Sequence, residues 1–336
     1  MSDSQPSSVA ANPSRPPCVL WVGAAGETGH PGLDQVEACA QLMRASDEEA
    51  FRELAPQADI LLVTDFRTPL IRDTWPAAAG VDWVHCTSAG VDAVLFEGVI
   101  ESGIRVTNAR GLFDEAIAES VLGHVLAFAK DLPGTFALQR ERRWQHRDSE
   151  RIAGRHALVV GAGSIGRAVA CLLTAAGLQV EGMASREREG DAQFRHVYPV
   201  SALHERLRQA DYVILTVPLT PATEHLIDAA ALAALRPGAR LINVARGPVV
   251  DTAALVAALQ RGQLAGAALD VFEQEPLPPE HPLWDLPNVI LTAHQAGDFH
   301  GWREALIEQF LHNLRLWRRG ERLHNLVDKQ RGYAAR

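Results

Sequence analysis

The chain has 336 residues, of which 47% are apolar and 22% charged, with a formal net charge of −9. That length suits about two domains with cores of their own, and the balance excludes a largely disordered chain. The acidic total argues against a general nucleic-acid surface, and no apolar run is long enough to span a bilayer. Cys18, Cys39, Cys86 and Cys171 are spaced neither as metal ligands nor as a disulfide framework, so no metal is expected.

Residues 1–17 are rich in Ser, Pro, Ala and Asn and read as a disordered leader; they lack the basic and apolar regions of a secretory signal, which places the protein in the cytoplasm. From there the pattern predicts a strand over 18–23, a helix over 33–45, and strands over 60–63, 83–86 and 104–106. Strands alternating with helices predict an α/β fold with parallel sheets covered on both faces. Thr87-Ser88-Ala89-Gly90-Val91-Asp92 follows a strand, where small residues can offer backbone amides to a carboxylate or simply form a turn. A long helix is expected over 115–132, stopped by Pro133, and the arginine-rich segment 139–151 marks a crossing between domains. Trp144, amid those charges, is either a local anchor or a residue inserted into a neighbouring subunit.

Ala157-Leu158-Val159-Val160 reads as a buried strand, and Gly161-Ala162-Gly163-Ser164-Ile165-Gly166 turns it straight into an apolar-periodic helix that closes at Gly177. Gly161 permits the tight turn, Gly163 lets the backbone approach a pyrophosphate, and Gly166 lets helix and strand pack closely. The amides of Ser164 and Ile165 face the anion. The strand before and the helix after are the context that turns the glycine spacing into a dinucleotide-binding motif.

A second strand over 178–183 ends in Ala184-Ser185-Arg186-Glu187-Arg188. The acid that would receive an adenosine ribose in an NAD site is missing. Ser185 and Arg186 suit a 2′-phosphate instead, so NADP(H) is preferred, with NAD(H) possible. Further on, a helix is expected over 203–209, strands over 212–217, 241–244, 267–271 and 289–292, and helices over 252–260 and 301–319. Arg246, Glu275 and His294 all fall at or just beyond carboxyl ends of these strands, the edge where ligands bind in such sheets.

Together Ser88 to Asp92, Gly161 to Gly166, Val217-Pro218-Leu219-Thr220, Asn243 to Gly247, Leu269 to Phe272 with Glu275-Pro276, and His294 with Ala296-Gly297 resemble the D-isomer-specific 2-hydroxyacid dehydrogenase family, from about residue 18 to 327. Ser185-Arg186 is similar to the NADPH-preferring glyoxylate and hydroxypyruvate reductases within it. The resemblance implies two doubly wound domains: a flavodoxin-like substrate domain over 18–108 and 297–336, and a Rossmann dinucleotide-binding domain over 109–296. It also implies a homodimer built on the helix over 115–132.

The resemblance makes His294 the proton donor and acceptor and Glu275 its partner, whose charge favours the imidazolium. Arg246 would grip the substrate carboxylate and polarise the keto oxygen, with the amides of Ala89 and Gly90 completing the clamp. Pro218, Thr223, Val244 and Ala245 would line the cofactor, and Asp270 would accept from the nicotinamide amide. The related formate dehydrogenases carry Gln at the position of Glu275, so Glu indicates a keto-acid and hydroxyacid pair. The expected reaction is hydride transfer from NADPH to a small 2-keto acid. The alternatives are an NAD-dependent dehydrogenase of a larger 2-hydroxyacid and a cofactor-sensing protein similar to transcriptional corepressors.

Overall fold

A computed structural model of the chain describes residues 15–65, 69–75, 77, 78 and 80–334. Residues 1–14 of the expected leader lie outside the described residues. Residues 15–17 do not behave as leader: Arg15 pairs with Asp59 at 2.7 Å, and the Gln41 amide donates to the Pro17 carbonyl at 2.9 Å. The chain divides into two units, Met1–Leu112 with Phe299–Arg336, and Phe113–Asp298.

The first unit is built on β1 (Cys18–Val22), α1 (Leu33–Glu37), β2 (Gln41–Ala45), α2 (Glu48–Leu54), β3 (Ile60–Val63), α3 (Leu70–Asp73), β4 (Trp83–Cys86), α4 (Glu97–Glu101) and β5 (Arg105–Thr107). The five strands are parallel in the order β2-β1-β3-β4-β5. Runs such as Ile60-Leu-Leu-Val63 are buried throughout, as strands covered on both faces must be. Along β1, Leu20 and Val22 enter one core with Phe51 and Val106, while Val19 and Trp21 enter the opposite one.

The helix expected over 33–45 is not there. It stops at Glu37, and Gln41–Ala45 instead pairs with β1 as an edge strand. The Ala- and Leu-containing pattern suits either state; backbone pairing along β1 decides it against helix propensity.

The second unit contains α5 (Asp114–Ala129), α6 (Leu132–Arg140), β6 (His156–Val160), α7 (Ser164–Ala175), β7 (Gln179–Ala184), β8 (Arg188–Glu189), β9 (His196–Pro199), α8 (Leu203–Leu207), β10 (Tyr212–Leu215), α9 (Ala229–Ala234), β11 (Arg240–Asn243), α10 (Thr252–Gln260), β12 (Gly266–Leu269) and β13 (Val289–Leu291). Its sheet runs β13-β12-β11-β10-β6-β7-β9-β8, parallel except for the short β8. Leu158 and Val160 of β6 face one core, and Ala157 and Val159 face the other with Val121 and Val125 of α5.

The expected 115–132 helix also differs. α5 ends at Ala129, and Pro133 begins α6 rather than stopping a helix: Asp131 caps that helix by accepting from the Gly134 amide. Proline is favoured in a first helical turn because its missing N–H would be unpaired there in any case. Trp144 is fully exposed and makes no local anchor.

The first unit is completed by α11 (Trp302–Arg318), β14 (Val327–Asp328) and β15 (Tyr333–Ala334). Leu306, Ile307, Phe310, Leu314 and Trp317 are the buried stripe of α11, and all but Leu306 join the core around Trp21 and Trp83. Among the described residues no helix is long and apolar enough to cross a membrane.

His85 on β4 has consequences for stability. It is fully buried beside Trp83 and Phe310, its Nδ1 lies 2.8 Å from Thr107 Oγ1, and among the described residues its Nε2 has no hydrogen-bond partner. Burial penalises the charged ring and pulls its pKa from 6.5 down to about 3. Between those values the unfolded chain binds a proton that the folded chain refuses, so stability falls as pH drops below 6.5. Urea unfolding should show about 2 kcal/mol lost through this group between pH 6.5 and 5, at about 1.4 kcal/mol per pH unit. His85→Phe should remove that component; equal losses in wild type and variant would rule the explanation out.

Candidate active site

The dinucleotide motif folds as its spacing requires, and the structure explains two of its three glycines by contact. Gly161 has φ +116°, and a Cβ there would lie 2.7 Å from the Thr216 carbonyl carbon. A Cβ on Gly166 would lie 1.9 Å from the Gly161 carbonyl oxygen, which also accepts from Thr216 Oγ1 at 2.8 Å. Gly163 is different: a Cβ there would meet nothing within 4 Å. The space above it is open to a ligand. Gly163 is the N-cap of α7 and makes no side-chain cap, so the first amides of the helix, at Ser164 and Ile165, have no carbonyl of their own helix to donate to, an arrangement that suits an anion. The Ser164 hydroxyl lies 3.4 Å from Asp114 Oδ1 and is oriented by α5.

Ala184 ends β7, and Ser185 and Arg186 are exposed just beyond it. Glu187, the acid next to Arg186 in the chain, lies 3.0 Å from His196 Nε2. Among the described residues Arg186 has no ion pair. A guanidinium not already neutralised, beside a hydroxyl at the end of this strand, fits a 2′-phosphate. These residues therefore fit an NADP-type dinucleotide: amides for the pyrophosphate, open space at Gly163, and a cation with a hydroxyl for the phosphate.

Thr223, expected to line the cofactor, uses its hydroxyl within its own loop. It donates to the Pro218 carbonyl at 2.6 Å and accepts from the Thr220 amide at 2.8 Å. Its first effect is to fix the backbone at Pro218. Val244 and Ala245 follow β11 and are nearly buried. The turn they form is closed by Asn243, whose Oδ1 accepts from the Ala245 amide and whose Nδ2 donates to the Arg246 carbonyl, both at 3.0 Å. Arg246 is thereby presented beyond the strand end, one guanidinium nitrogen donating to the Ala245 carbonyl at 2.9 Å.

β11, β12 and β13 are neighbouring parallel strands, so Arg246, Asp270 and His294, which follow them in turn, share one edge of the sheet. Glu275 and His294 meet: His294 Nδ1 lies 2.8 Å from Glu275 Oε2, while Glu275 Oε1 accepts from the Phe272 amide at 3.0 Å. Both side chains are largely enclosed yet still reach solvent, Glu275 at 14% and His294 at 23% exposure. Gly247 brings the Arg246 turn against Phe272, so closely that a Cβ would lie 1.9 Å from the Phe272 carbonyl carbon. The tasks of Gly247, a close backbone approach, and Asn243, the bracing of a turn, leave no signal in the sequence beyond the motif that contains them.

Asp270 was expected to serve the nicotinamide amide. Its carboxylate is 2% exposed and already accepts from Thr292 Oγ1 and from the amides of Gln295 and Ala296. Ala89 and Gly90 belong to the first unit, in the turn after β4. There Asn108 Nδ2 donates to the Ala89 carbonyl and Ser88 Oγ to the Gly90 carbonyl, each at 2.6 Å. Among the described residues no group of three or more His, Cys, Asp or Glu side chains could hold a metal ion.

Comparison with known proteins gives a consistent result. Residues 122–296 match the model of the D-isomer specific 2-hydroxyacid dehydrogenase NAD binding domain. A glyoxylate reductase of Thermofilum pendens is 34% identical over 317 residues, covering 89% of this chain and 92% of that protein. A D-isomer specific 2-hydroxyacid dehydrogenase of Xanthobacter autotrophicus, solved in complex with NADPH and MES, superposes with a TM-score of 0.80 at 31% identity, covering 95% of this chain and 100% of the other. An NADPH-dependent glyoxylate/hydroxypyruvate reductase of Sinorhizobium meliloti, solved with NADP and malonate, gives 0.81 at 30% identity, covering 96% and 99%.

Proposed function

Because the chain belongs to the D-isomer-specific 2-hydroxyacid dehydrogenase family, we propose that it reduces a small 2-keto acid of the glyoxylate or hydroxypyruvate kind to the D-2-hydroxyacid, with NADPH as its preferred cofactor. The observation that carries this reading is the 2.8 Å contact between His294 and Glu275 at the carboxyl edge of the sheet.

The Ser164 and Ile165 amides, with Ser185 and Arg186, would hold the cofactor, which would supply the hydride for the carbonyl carbon. This chain's residues do the rest. Arg246 pairs with the substrate carboxylate and polarises the keto oxygen, so that negative charge developing there is met by a fixed cation. His294 delivers a proton to that oxygen from Nε2, the nitrogen not bonded to Glu275, and the carbonyl becomes an alcohol. Glu275 holds the ring by Nδ1 and so fixes which nitrogen faces the substrate. We assign Pro218, Val244 and Ala245 to the cofactor's surroundings.

We further place the protein in the cytoplasm as a homodimer built on α5. Leu126 on α5, Phe136 on α6 and Trp144 beyond it, all exposed large apolar side chains, support this assembly.

A panel of 2-keto acids assayed with NADPH and with NADH tests the proposal. Glyoxylate or hydroxypyruvate with NADPH should give the highest kcat/KM. Arg186→Ala should raise the KM for NADPH about 10- to 100-fold, the worth of one charged hydrogen-bonding partner, and leave NADH nearly unchanged. Equal losses with both cofactors would remove Arg186 from the phosphate site. Intact nucleotide binding without turnover of any 2-keto acid would favour the sensor reading.

A further inference from the structure

The segment 292–296 carries His294 in an unusual backbone state, with φ +51°, in the left-handed region that a side-chain-bearing residue seldom adopts. It is a short excursion beyond β13, where the parallel ladder with β12 comes to an end. Something must hold it. The Thr292 amide still donates to the Leu269 carbonyl at 3.0 Å, and the His294 amide donates to the Asp270 carbonyl at 2.8 Å. Beyond that, one buried side chain gathers the segment. Asp270 Oδ1 accepts from Thr292 Oγ1 at 2.5 Å and from the Gln295 amide at 2.9 Å, and Asp270 Oδ2 accepts from the Ala296 amide at 3.0 Å. From the other side Ser120 Oγ of α5 donates to the Ala296 carbonyl at 2.9 Å.

We infer that Asp270 and Thr292 form a clamp that positions His294, fixing the imidazole against Glu275 through the backbone on both sides of it. The inference rests on the reductase reading for its effect on turnover, though not for its geometry.

The carboxylate is nearly inaccessible, and three donors of one short segment converge on it from residues 292, 295 and 296. A buried anion with such a set of donors is stable only while they stay in place, so anion and turn hold each other. The Thr292 hydroxyl is the one member of the set supplied by a side chain. It therefore makes a specific handle: Thr292 has no place in the cofactor cradle or in the Arg246, Glu275 and His294 group. A role of Asp270 toward the nicotinamide amide would be untouched by changing Thr292, whereas the clamp would lose a bond. Misplacing a proton donor by about 1 Å costs on the order of 10²-fold in rate.

The test compares full-length wild type, Thr292→Val and Thr292→Ser. Thr292→Val should lower kcat for the best 2-keto acid about 10- to 100-fold, with the dissociation constant for NADPH unchanged and the pH profile of kcat displaced. Thr292→Ser, which keeps the hydroxyl, should restore both. Hydrogen exchange of the peptide containing 292–296 should be at least about tenfold faster in Thr292→Val, as expected when a local opening becomes easier. This readout needs no turnover. Faster exchange with unchanged kcat and pH profile would overturn the positioning role, and unchanged exchange would overturn the clamp. A wild type inert toward every 2-keto acid would instead defeat the reductase reading while exchange still decided the clamp.

Discussion

His294→Gln is expected to lower turnover of the 2-keto acid by about 10²- to 10⁴-fold, the usual worth of a positioned general acid, while leaving NADPH affinity within about threefold. Gln is close to His in reach and can still hydrogen-bond to Glu275 Oε2, which His294 now meets at 2.8 Å. What it cannot do is carry a proton to the developing alkoxide. The cofactor cradle is assigned to Gly161 to Gly166 and to Ser185 and Arg186, at the ends of β6 and β7, strands separated from β13 by three and four others in the sheet. Stopped-flow turnover with fluorescence titration of NADPH separates the two effects. Retained turnover would remove His294 from proton transfer, and lost cofactor binding would make it a structural residue.

Gly247→Ala is expected to reduce kcat/KM by on the order of 10²-fold, although no member of the Arg246, Glu275 and His294 group is altered. The added Cβ would lie 1.9 Å from the Phe272 carbonyl carbon, 2.1 Å from its oxygen and 2.3 Å from the Glu273 amide nitrogen. These are backbone atoms and cannot swing aside as a side-chain end would. Either the turn carrying Arg246 or the segment 272–275 carrying Glu275 must move. The Phe272 amide also donates to Glu275 Oε1, so displacement there loosens the partner of His294. The thermal midpoint should fall as well, because small-to-large insertion at a tight contact costs about 1–3 kcal/mol. A crystal structure of the variant with the 272–275 segment unmoved and full activity would contradict this account of Gly247.

What the sequence disclosed and what it concealed differ in kind. The dinucleotide turn was legible because its signals are local: a buried strand, glycines at fixed spacing and an apolar-periodic helix are consecutive in the chain. The sites after β11, β12 and β13 were legible as strand ends, and parallel strands put such ends on one edge. The pairing of His294 with Glu275 came from resemblance, since a separation of 19 positions carries no periodic signal. Thr292 and Asn243 were missed as supports because a hydroxyl or amide acting on backbone two to four residues away, or across to the next strand, leaves no pattern. The mistaken helix over 33–45 failed for a related reason: only pairing with β1 makes Gln41–Ala45 a strand. Pro133 has the sequence signature of a stop, but Asp131 caps the helix that follows and makes it a start.

The account stands on a proton and a hydride reaching the two ends of one carbonyl group. Its most direct test is to incubate wild-type protein with hydroxypyruvate and NADPH deuterated in turn on each face of the nicotinamide ring, then determine product chirality and isotope content. One NADPH should be consumed per molecule of D-hydroxyacid formed, with deuterium at carbon 2 from one labelled face only. An L or racemic product, or a product without deuterium from either face, would contradict it.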